Sequence, residues 1–154
     1  MIELDYVISP SWNKRTGSVA LETADGWVLR YDCFLGDVIF LVHEFDLSAR
    51  WGWVPILDFA LGLDAVVGSL REDAKTEVFE FTESDATIAF RRDHEAVEIE
   101  ASYVTGMARV AYEDLRTAVR QFAVRVLDDF AREHPELTRN PFVVTVLEAL
   151  ASNG

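Results

Sequence analysis

The first residues of the chain alternate between apolar and polar side chains. Every second position from residue 2 to residue 8 is apolar: Ile2, Leu4, Tyr6 and Ile8. An alternation of period two is typical of a half-buried strand, so we predict a strand here that ends at Pro10. Residues 11–16 are polar around Trp12, and we predict a loop.

Residues 17–34 predict a β-hairpin around the Asp-Gly pair at 25–26. A two-residue loop would mix apolar and polar side chains on each face. A three-residue loop over 24–26 instead pairs like with like, for example Leu21 with Leu29, because residues opposite each other share a face. It also places the glycine at the left-handed position that such a loop requires, so we favour this register.

A continuous apolar run at 38–42 follows a turn at 36–37 and predicts a central strand covered on both faces. After a bend at Trp51-Gly52-Trp53, Pro55 marks the first turn of a helix. The stripe of this helix that faces the core comprises Ile56, Phe59, Ala60, Leu63, Val66, Val67 and Leu70. The polar positions that fall off the stripe are Asp58, Asp64 and Arg71.

Residues 76–103 alternate again and predict a three-stranded antiparallel meander with turns at 84–85 and 93–94. Its predicted inner face comprises Phe79, Phe81, Ile88, Phe90, Val97, Ile99 and Ala101. Its predicted outer face comprises Glu80, Thr82, Thr87, Ala89, Arg91, Glu98 and Glu100.

The last third of the chain has helical spacing. One helix carries an apolar stripe from Leu115 to Phe130 and ends near Pro135, and Asn140-Pro141 has the chemistry of the start of a second. The order of strands, helix, meander and two helices predicts an α+β fold, with helices packed on one face of a mostly antiparallel sheet. At 154 residues we expect a single domain over 1–154.

The net charge of the chain limits the kinds of molecule that it is expected to bind. The chain carries 27 acidic and 14 basic residues, a net charge of -13. Residues 76–101 hold eight of the acids and two of the bases, and the alternation places several of these acids on one solvent face. This negative charge opposes binding to nucleic acid and to anionic membranes. It favours binding to a protein with a basic surface. A surface that serves only solubility is the alternative explanation.

The inventory of reactive groups is small. Cys33 is the only cysteine and falls within a predicted strand, so we expect a buried structural thiol rather than a nucleophile. The sequence shows none of the common nucleotide, metal or nucleophile motifs, and we predict no cofactor. The N-terminus lacks the pattern of a signal peptide and no apolar run could span a bilayer, so we expect a cytoplasmic protein.

His43, Glu44 and Asp46 form the most suggestive local cluster, at the end of the predicted central strand. A histidine base beside a carboxylic acid would suit catalysis. Adjacent residues of a strand point to opposite faces, however, so His43 would not join Glu44 and Asp46. We therefore predict that the protein is not an enzyme.

Trp51-Gly52-Trp53 has two explanations. Two indoles around a flexible glycine could form a ligand wall or an anchor for a protein partner. They could equally close one end of the hydrophobic core.

Two segments resemble a known group of proteins: residues 51–60, and residues 79–84 with the following 88–90 and 101–103. They are similar to small acidic actinobacterial proteins of unassigned function, some of which resemble the immunity partners of polymorphic toxins. The resemblance covers the middle of the chain and consists of core and turn patterns. It implies a protein-binding inhibitor and identifies no catalytic residue.

The leading hypothesis is a non-enzymatic module that binds a protein with a basic surface, as an immunity protein covers the cleft of a basic toxin. The residues predicted to bind the partner are Glu80, Glu98, Glu100, Trp51 and Trp53. A second hypothesis is a small-molecule-binding protein or enzyme, whose pocket between sheet and helices has Trp51, Trp53, His43 and Glu44 near its mouth. A third is a homo-oligomeric structural subunit that pairs through a sheet edge or the helix at 141–151.

Overall fold

The strands form two antiparallel sheets. The computed structural model describes residues 1–15, 19–70 and 76–152. The first sheet contains β1 (Ile2–Ile8), β2 (Leu35–Val42), β3 (Phe45–Asp46) and β4 (Ala49–Pro55). β2 lies in its centre, with β1 on one side and both β3 and β4 on the other. The predictions of a half-buried first strand and a central second strand are confirmed, although one face of β2 is only half-buried and residues 36–37 belong to the strand instead of a turn.

The second sheet is the predicted meander with one strand more. It contains β5 (Thr76–Glu80), β6 (Thr87–Asp93), β7 (Ala96–Ala101) and β8 (Ala108–Ala111), paired in chain order. All seven residues of the predicted inner face are buried. The sequence did not predict β8, which is only four residues long.

The described chain forms five α-helices. They are α1 (Pro10–Arg15), α2 (Gly26–Tyr31), α3 (Ile56–Gly68), α4 (Tyr112–Glu133) and α5 (Pro141–Ser152), with a 3-10 helix at Pro135–Arg139 before α5. α3 and α4 pack against each other and against both sheets. The α+β class is therefore confirmed, and the strands divide between two sheets that share one hydrophobic core.

α3 occupies the centre of this core. Phe59 contacts Phe40 of the first sheet, Phe79 of the second and Phe122 of α4. The helix is buried on almost every side, so the prediction that Asp58 lies on its solvated side was wrong: this residue is 6% exposed. Its carboxylate is instead paired with Arg30 of α2 at 2.6 Å.

The predicted loop at 11–16 was also wrong over its described part, which belongs to α1. Trp12 is 1% exposed, and its ring centroid lies 5.4 Å from that of Phe34. A short helix that is polar except for one indole has no apolar stripe, which explains why its sequence resembles a loop. Residue 16 lies outside the described residues.

The predicted hairpin at 17–34 is replaced by a turn and α2; residues 17–18 lie outside the described residues. Asp25 is the N-cap of α2, and its carboxylate accepts a hydrogen bond from the Val28 backbone N–H at 3.0 Å. The buried Asn140 amide fixes the preceding turn by donating to the carbonyls of Leu21 and Ala24, both at 2.7 Å. An Asp-Gly pair suits a hairpin and a helix N-terminus equally, and this long-range contact decides between them.

The two C-terminal helices are confirmed. The predicted stripe of α4 is buried from Leu115 to Phe130 except at Ala118, which is half-buried. The side-chain oxygen of Asn140 accepts from the backbone N–H groups of Phe142 and Val143 at the start of α5. None of the helices in the described residues is both long enough and apolar enough to cross a membrane.

Candidate functional site

The Trp51-Gly52-Trp53 segment bulges out of the first sheet. Val54 pairs with Gly36, and the next pair is Ala49 with Val38, so residues 50–53 of β4 leave the ladder. The carboxylate of Asp37 accepts a hydrogen bond from the Gly52 backbone N–H at 2.8 Å and holds the bulge in place. Gly52 has a φ of +79°, a conformation that residues with a Cβ rarely adopt.

The bulge stacks the two indoles on each other. The ring centroids of Trp51 and Trp53 are 5.2 Å apart at an interplanar angle of 25°. Trp51 is half-buried and meets Phe81 and Tyr103 edge-on, each at 5.1 Å. Trp53 lies on the outer side and is 37% exposed. We call this stacked pair the tryptophan platform.

Tyr103 ties the platform to the first sheet. Its hydroxyl donates to the Leu47 carbonyl at 2.7 Å. Burial raises the pKa of Tyr103 above its usual range, and the nearby Asp46 carboxylate adds to the rise. The hydroxyl therefore stays protonated and remains a donor, so the inner side of the platform is fixed by packing and by a hydrogen bond.

A small pocket of about 440 Å³ opens beside the platform. Its lining comprises Trp51, Trp53, Ser84 and Ala86. The last two belong to the turn that joins β5 to β6, and the acids on either side of Ser84, Glu83 and Asp85, are both exposed. The pocket thus has aromatic walls on one side and an acidic turn on the other.

The three predicted acids have different surroundings. Glu80 is exposed at the end of β5, where it pairs with Thr87 across the strands. Glu100 is exposed opposite Ala89. Glu98 is half-buried between Arg91 and Arg109, and it forms ion pairs with both. The outer face of the second sheet is therefore less negative around Glu98 than the sequence suggests.

Four acids near or on this face keep their charge uncompensated. Within the ranges that the structure describes, no ion pair involves Glu80, Glu83, Asp85 or Glu100. The first three lie within the segment that ends β5 and forms the turn beside the pocket, so the negative charge concentrates next to the platform.

The histidine cluster predicted near the tryptophans lies elsewhere. His43 and Glu44 occupy the turn between β2 and β3, and His43 lines a separate open groove of about 1170 Å³ with His94, Asp93 and Arg109. The structure thus does not bring His43 together with Trp51 and Trp53, as the small-molecule hypothesis required.

Asp93 in this groove contacts two of its charged or titratable neighbours. The Nδ1 atom of His94 lies 2.8 Å from the Asp93 carboxylate, and this hydrogen bond lowers the pKa of Asp93. His94 is exposed in the turn between β6 and β7. The Asp93 carboxylate also lies 3.9 Å from the Arg109 guanidinium.

The remaining candidates for chemistry are the single cysteine and possible metal ligands. Cys33 is fully buried, as predicted. In residues 1–15, 19–70 and 76–152, no group of three or more histidine, cysteine, aspartate or glutamate side chains is placed to hold a metal ion.

Sequence reasoning missed the residues that position the platform. Asp37 was assigned to a turn, and Ser84 was considered only as a turn former. The available signal was Gly52 itself, because a glycine between two aromatic residues of a strand often marks a bulge. The partner of the bulge could not be predicted, since it depends on the pairing of β2 with β4.

Comparison with protein families, with curated proteins and with solved structures found no match to this chain. The site is therefore interpreted from its own residues.

Proposed function

We propose that this chain is a non-enzymatic module that binds a protein with a basic surface, and that the tryptophan platform anchors the partner. The observation that carries the proposal is the exposed indole of Trp53, stacked on the fixed indole of Trp51 beside an acidic turn. Tryptophan is the side chain most enriched among the residues that dominate binding energy at protein interfaces.

The chemistry of the pocket favours a cationic side chain. An arginine or lysine over an indole gains cation–π attraction, about 0.5–1 kcal/mol at an exposed site and more when water is excluded. Glu83 and Asp85 are exposed on either side of Ser84, which lines the pocket, and their negative charge would attract the same cation. Arginine suits this arrangement best, because its planar guanidinium can stack on an indole while it donates to a carboxylate.

The net charge supports the same class of partner at long range. A charge of -13 speeds the approach of a basic protein and repels acidic ones. Glu80 and Glu100 extend the uncompensated charge away from the pocket, whereas Glu98 is already paired within the sheet. We assign Glu80 and Glu100 to partner attraction and Glu98 to the stability of the sheet.

The resemblance to immunity proteins indicates what kind of protein the partner is. A toxin that cleaves nucleic acid needs a basic cleft to hold its substrate, and an acidic protein with an aromatic anchor is complementary to such a cleft. We propose an inhibitor of a basic toxin as the biological form of this binding module.

The proposal is tested by comparing three forms of the protein: wild type, Trp53→Ala and Trp27→Ala. Trp27 is 64% exposed on α2 and is not part of the platform, so it is a matched control. Proteins that the wild type retains from a lysate of the native host are purified, and their affinity for all three forms is measured by calorimetry in rising salt.

The proposal predicts a basic protein whose affinity falls with salt and drops at least about tenfold for Trp53→Ala. Trp27→Ala should bind that protein as the wild type does. A purified partner that binds Trp53→Ala with full affinity, or whose affinity does not change with salt, would contradict the proposal.

A further inference from the structure

The open groove beside His43 is lined by edge strands of both sheets. β1 is an edge strand of the first sheet, and β8 is an edge strand of the second. The lining includes Ile2 of β1, residues 109–111 of β8, and four residues in the first half of α4. One groove of about 1170 Å³ therefore contains residues from two strand edges and a helix.

The outer edge of β8 presents backbone groups that the sheet does not use. In an antiparallel pair, alternate residues turn both backbone groups toward the neighbouring strand, and the residues between them turn theirs away. The Tyr112 N–H donates to the Glu95 carbonyl at 2.7 Å, so Val110, two residues earlier, faces β7 in the same way. Arg109 therefore turns its N–H and C=O away from β7, and Ala111 turns its N–H away.

β1 contributes an edge of the same kind. The His43 N–H donates to the Met1 carbonyl at 2.7 Å, so the next residue, Ile2, turns its N–H and C=O away from β2. The Leu4 carbonyl points the same way and accepts a hydrogen bond from Arg125 of α4. In the described part of the chain, no strand pairs with the outer edge of β1 or of β8.

The charged side chains of the groove are mostly acidic. They are the carboxylates of Asp93, Glu95 and Asp114 and the guanidinium of Arg109. Asp93 lies close to Arg109 and to His94. Glu95 and Asp114 are exposed, and neither forms an ion pair within the ranges that the structure describes. The groove thus combines unused backbone groups with uncompensated negative charge.

We propose that this groove binds an extended peptide segment of a partner, which adds a strand to β8 and carries a lysine or arginine. An extended backbone is the ligand that the edge of a sheet recognises, and Arg109 and Ala111 offer it two N–H groups and one C=O. The four residues of β8 span about 13 Å. Glu95 and Asp114 would attract the basic side chain.

The groove shares no lining residue with the pocket beside the tryptophan platform. Binding of a peptide in the groove should therefore leave the indole N–H signal of Trp53 in place. This signal separates the two sites, so a failure of the platform and a failure of the groove are distinguishable.

Ala111→Pro tests the strand edge without disturbing the fold. Ala111 has a φ of -66°, which is the angle that proline fixes, and its N–H faces away from β7. Proline at this position removes one donor of the edge and places its ring where the peptide backbone would lie. Circular dichroism and urea unfolding establish that the variant folds.

Asp114→Asn tests the charge of the groove, with Glu113→Gln as its matched control. Both variants remove one carboxylate from the first turn of α4, but Glu113 is not among the residues that line the groove. Peptides for these measurements come from a displayed library of short random sequences selected on the wild type, and their affinities are measured by calorimetry.

Selected peptides should contain lysine or arginine and bind Ala111→Pro at least about tenfold more weakly than the wild type. Asp114→Asn should weaken binding about threefold at low salt, and Glu113→Gln should not. In the wild type, the bound peptide should shift the amide signals of Arg109 and Ala111 and slow their hydrogen exchange. This last readout does not depend on any variant.

The proposal would be overturned by a selection that returns no peptide, or by one in which no peptide distinguishes the wild type from Ala111→Pro. Peptides that leave the Arg109 and Ala111 amide signals unchanged would overturn it too. So would equal losses of affinity for Asp114→Asn and Glu113→Gln.

Discussion

The indoles of Trp51 and Trp53 stack face to face at 5.2 Å although one residue separates them in the chain. They lie on one side of the bulge in β4, and their roles differ. Trp51 is enclosed by Phe81 and Tyr103, whereas Trp53 offers its outer surface to solvent. The inner indole supports the fold and the outer indole is free to bind.

Truncation of the two tryptophans should separate these roles. Trp51→Ala removes contacts with three aromatic rings, so it should lower the free energy of unfolding by about 3 kcal/mol. Trp53→Ala should lower it by only about 1 kcal/mol, since much of this indole faces water. Urea unfolding checks both values, and an equal loss for the two variants would contradict the assignment of roles.

Removal of the Asp37 carboxylate should loosen the platform from a distance. Asp37→Ala deletes the acceptor of the Gly52 N–H, which should cost about 1 kcal/mol of stability and broaden the indole N–H signals of Trp51 and Trp53 in NMR spectra. Asp37→Asn keeps an acceptor oxygen at the same position, so it should restore sharp signals. If Asp37→Ala left both signals unchanged, the hydrogen bond would not be what positions the platform.

Charge reversal on the second sheet should have effects that depend on the neighbours of each acid. Glu98→Lys would line up three cations with Arg91 and Arg109 across neighbouring strands, so it should lower the free energy of unfolding by about 1–2 kcal/mol. Glu100→Lys faces Ala89 and should change it by less than about 0.5 kcal/mol. Urea unfolding at low salt measures both changes. Equal losses of unfolding free energy for Glu98→Lys and Glu100→Lys would contradict the prediction.

The ion pair between buried Asp58 and half-buried Arg30 should make the free energy of unfolding depend on pH. Burial raises the pKa of Asp58 above its usual range, even though Arg30 acts in the opposite direction. A carboxyl group with a raised pKa in the folded state stabilises the fold when it is protonated, and this contribution is lost as pH rises through that pKa. The ionised form is therefore the less favourable one in the fold.

We expect Asp58→Asn to match or exceed the stability of the wild type at pH 7, by up to about 1 kcal/mol, because the amide avoids the cost of burying a charge and the Arg30 side chain, which is 31% exposed, keeps access to water. This advantage should shrink as the pH falls through the range in which Asp58 takes up its proton. Asp128→Asn, at an exposed position of α4, controls for the loss of one negative charge. A loss of stability at neutral pH that lessens on acidification would contradict the expectation.

The sequence was sufficient to predict the helices and strands whose hydrophobic pattern is long and regular. The meander and the helices α3, α4 and α5 follow from hydrophobic periodicity that extends over many residues. It failed at α1 and α2, which are six residues each. A segment of that length takes its conformation from tertiary contacts, here the burial of Trp12 and the bonds of Asn140 to the turn before α2.

The candidate site could be predicted only in part. An aromatic pair around a glycine and an acidic meander were visible in the sequence. The hydrogen bond from Gly52 to Asp37, and the placement of the turn at Ser84 beside the indoles, depend on which strands pair. The neutralisation of Glu98 likewise required the register of β6, β7 and β8.

The most direct test of the central claim follows the four tryptophan indole N–H signals of the ¹⁵N-labelled protein during titration with a short arginine-rich peptide. Trp12 is buried, and Trp27 is the exposed control. The platform predicts saturable shifts at Trp51 and Trp53 that weaken with salt, little change at Trp12 and Trp27, and no shift with a glutamate-rich peptide of equal length. Equal shifts at Trp27 and Trp53, or none at Trp53, would contradict a cation-binding platform.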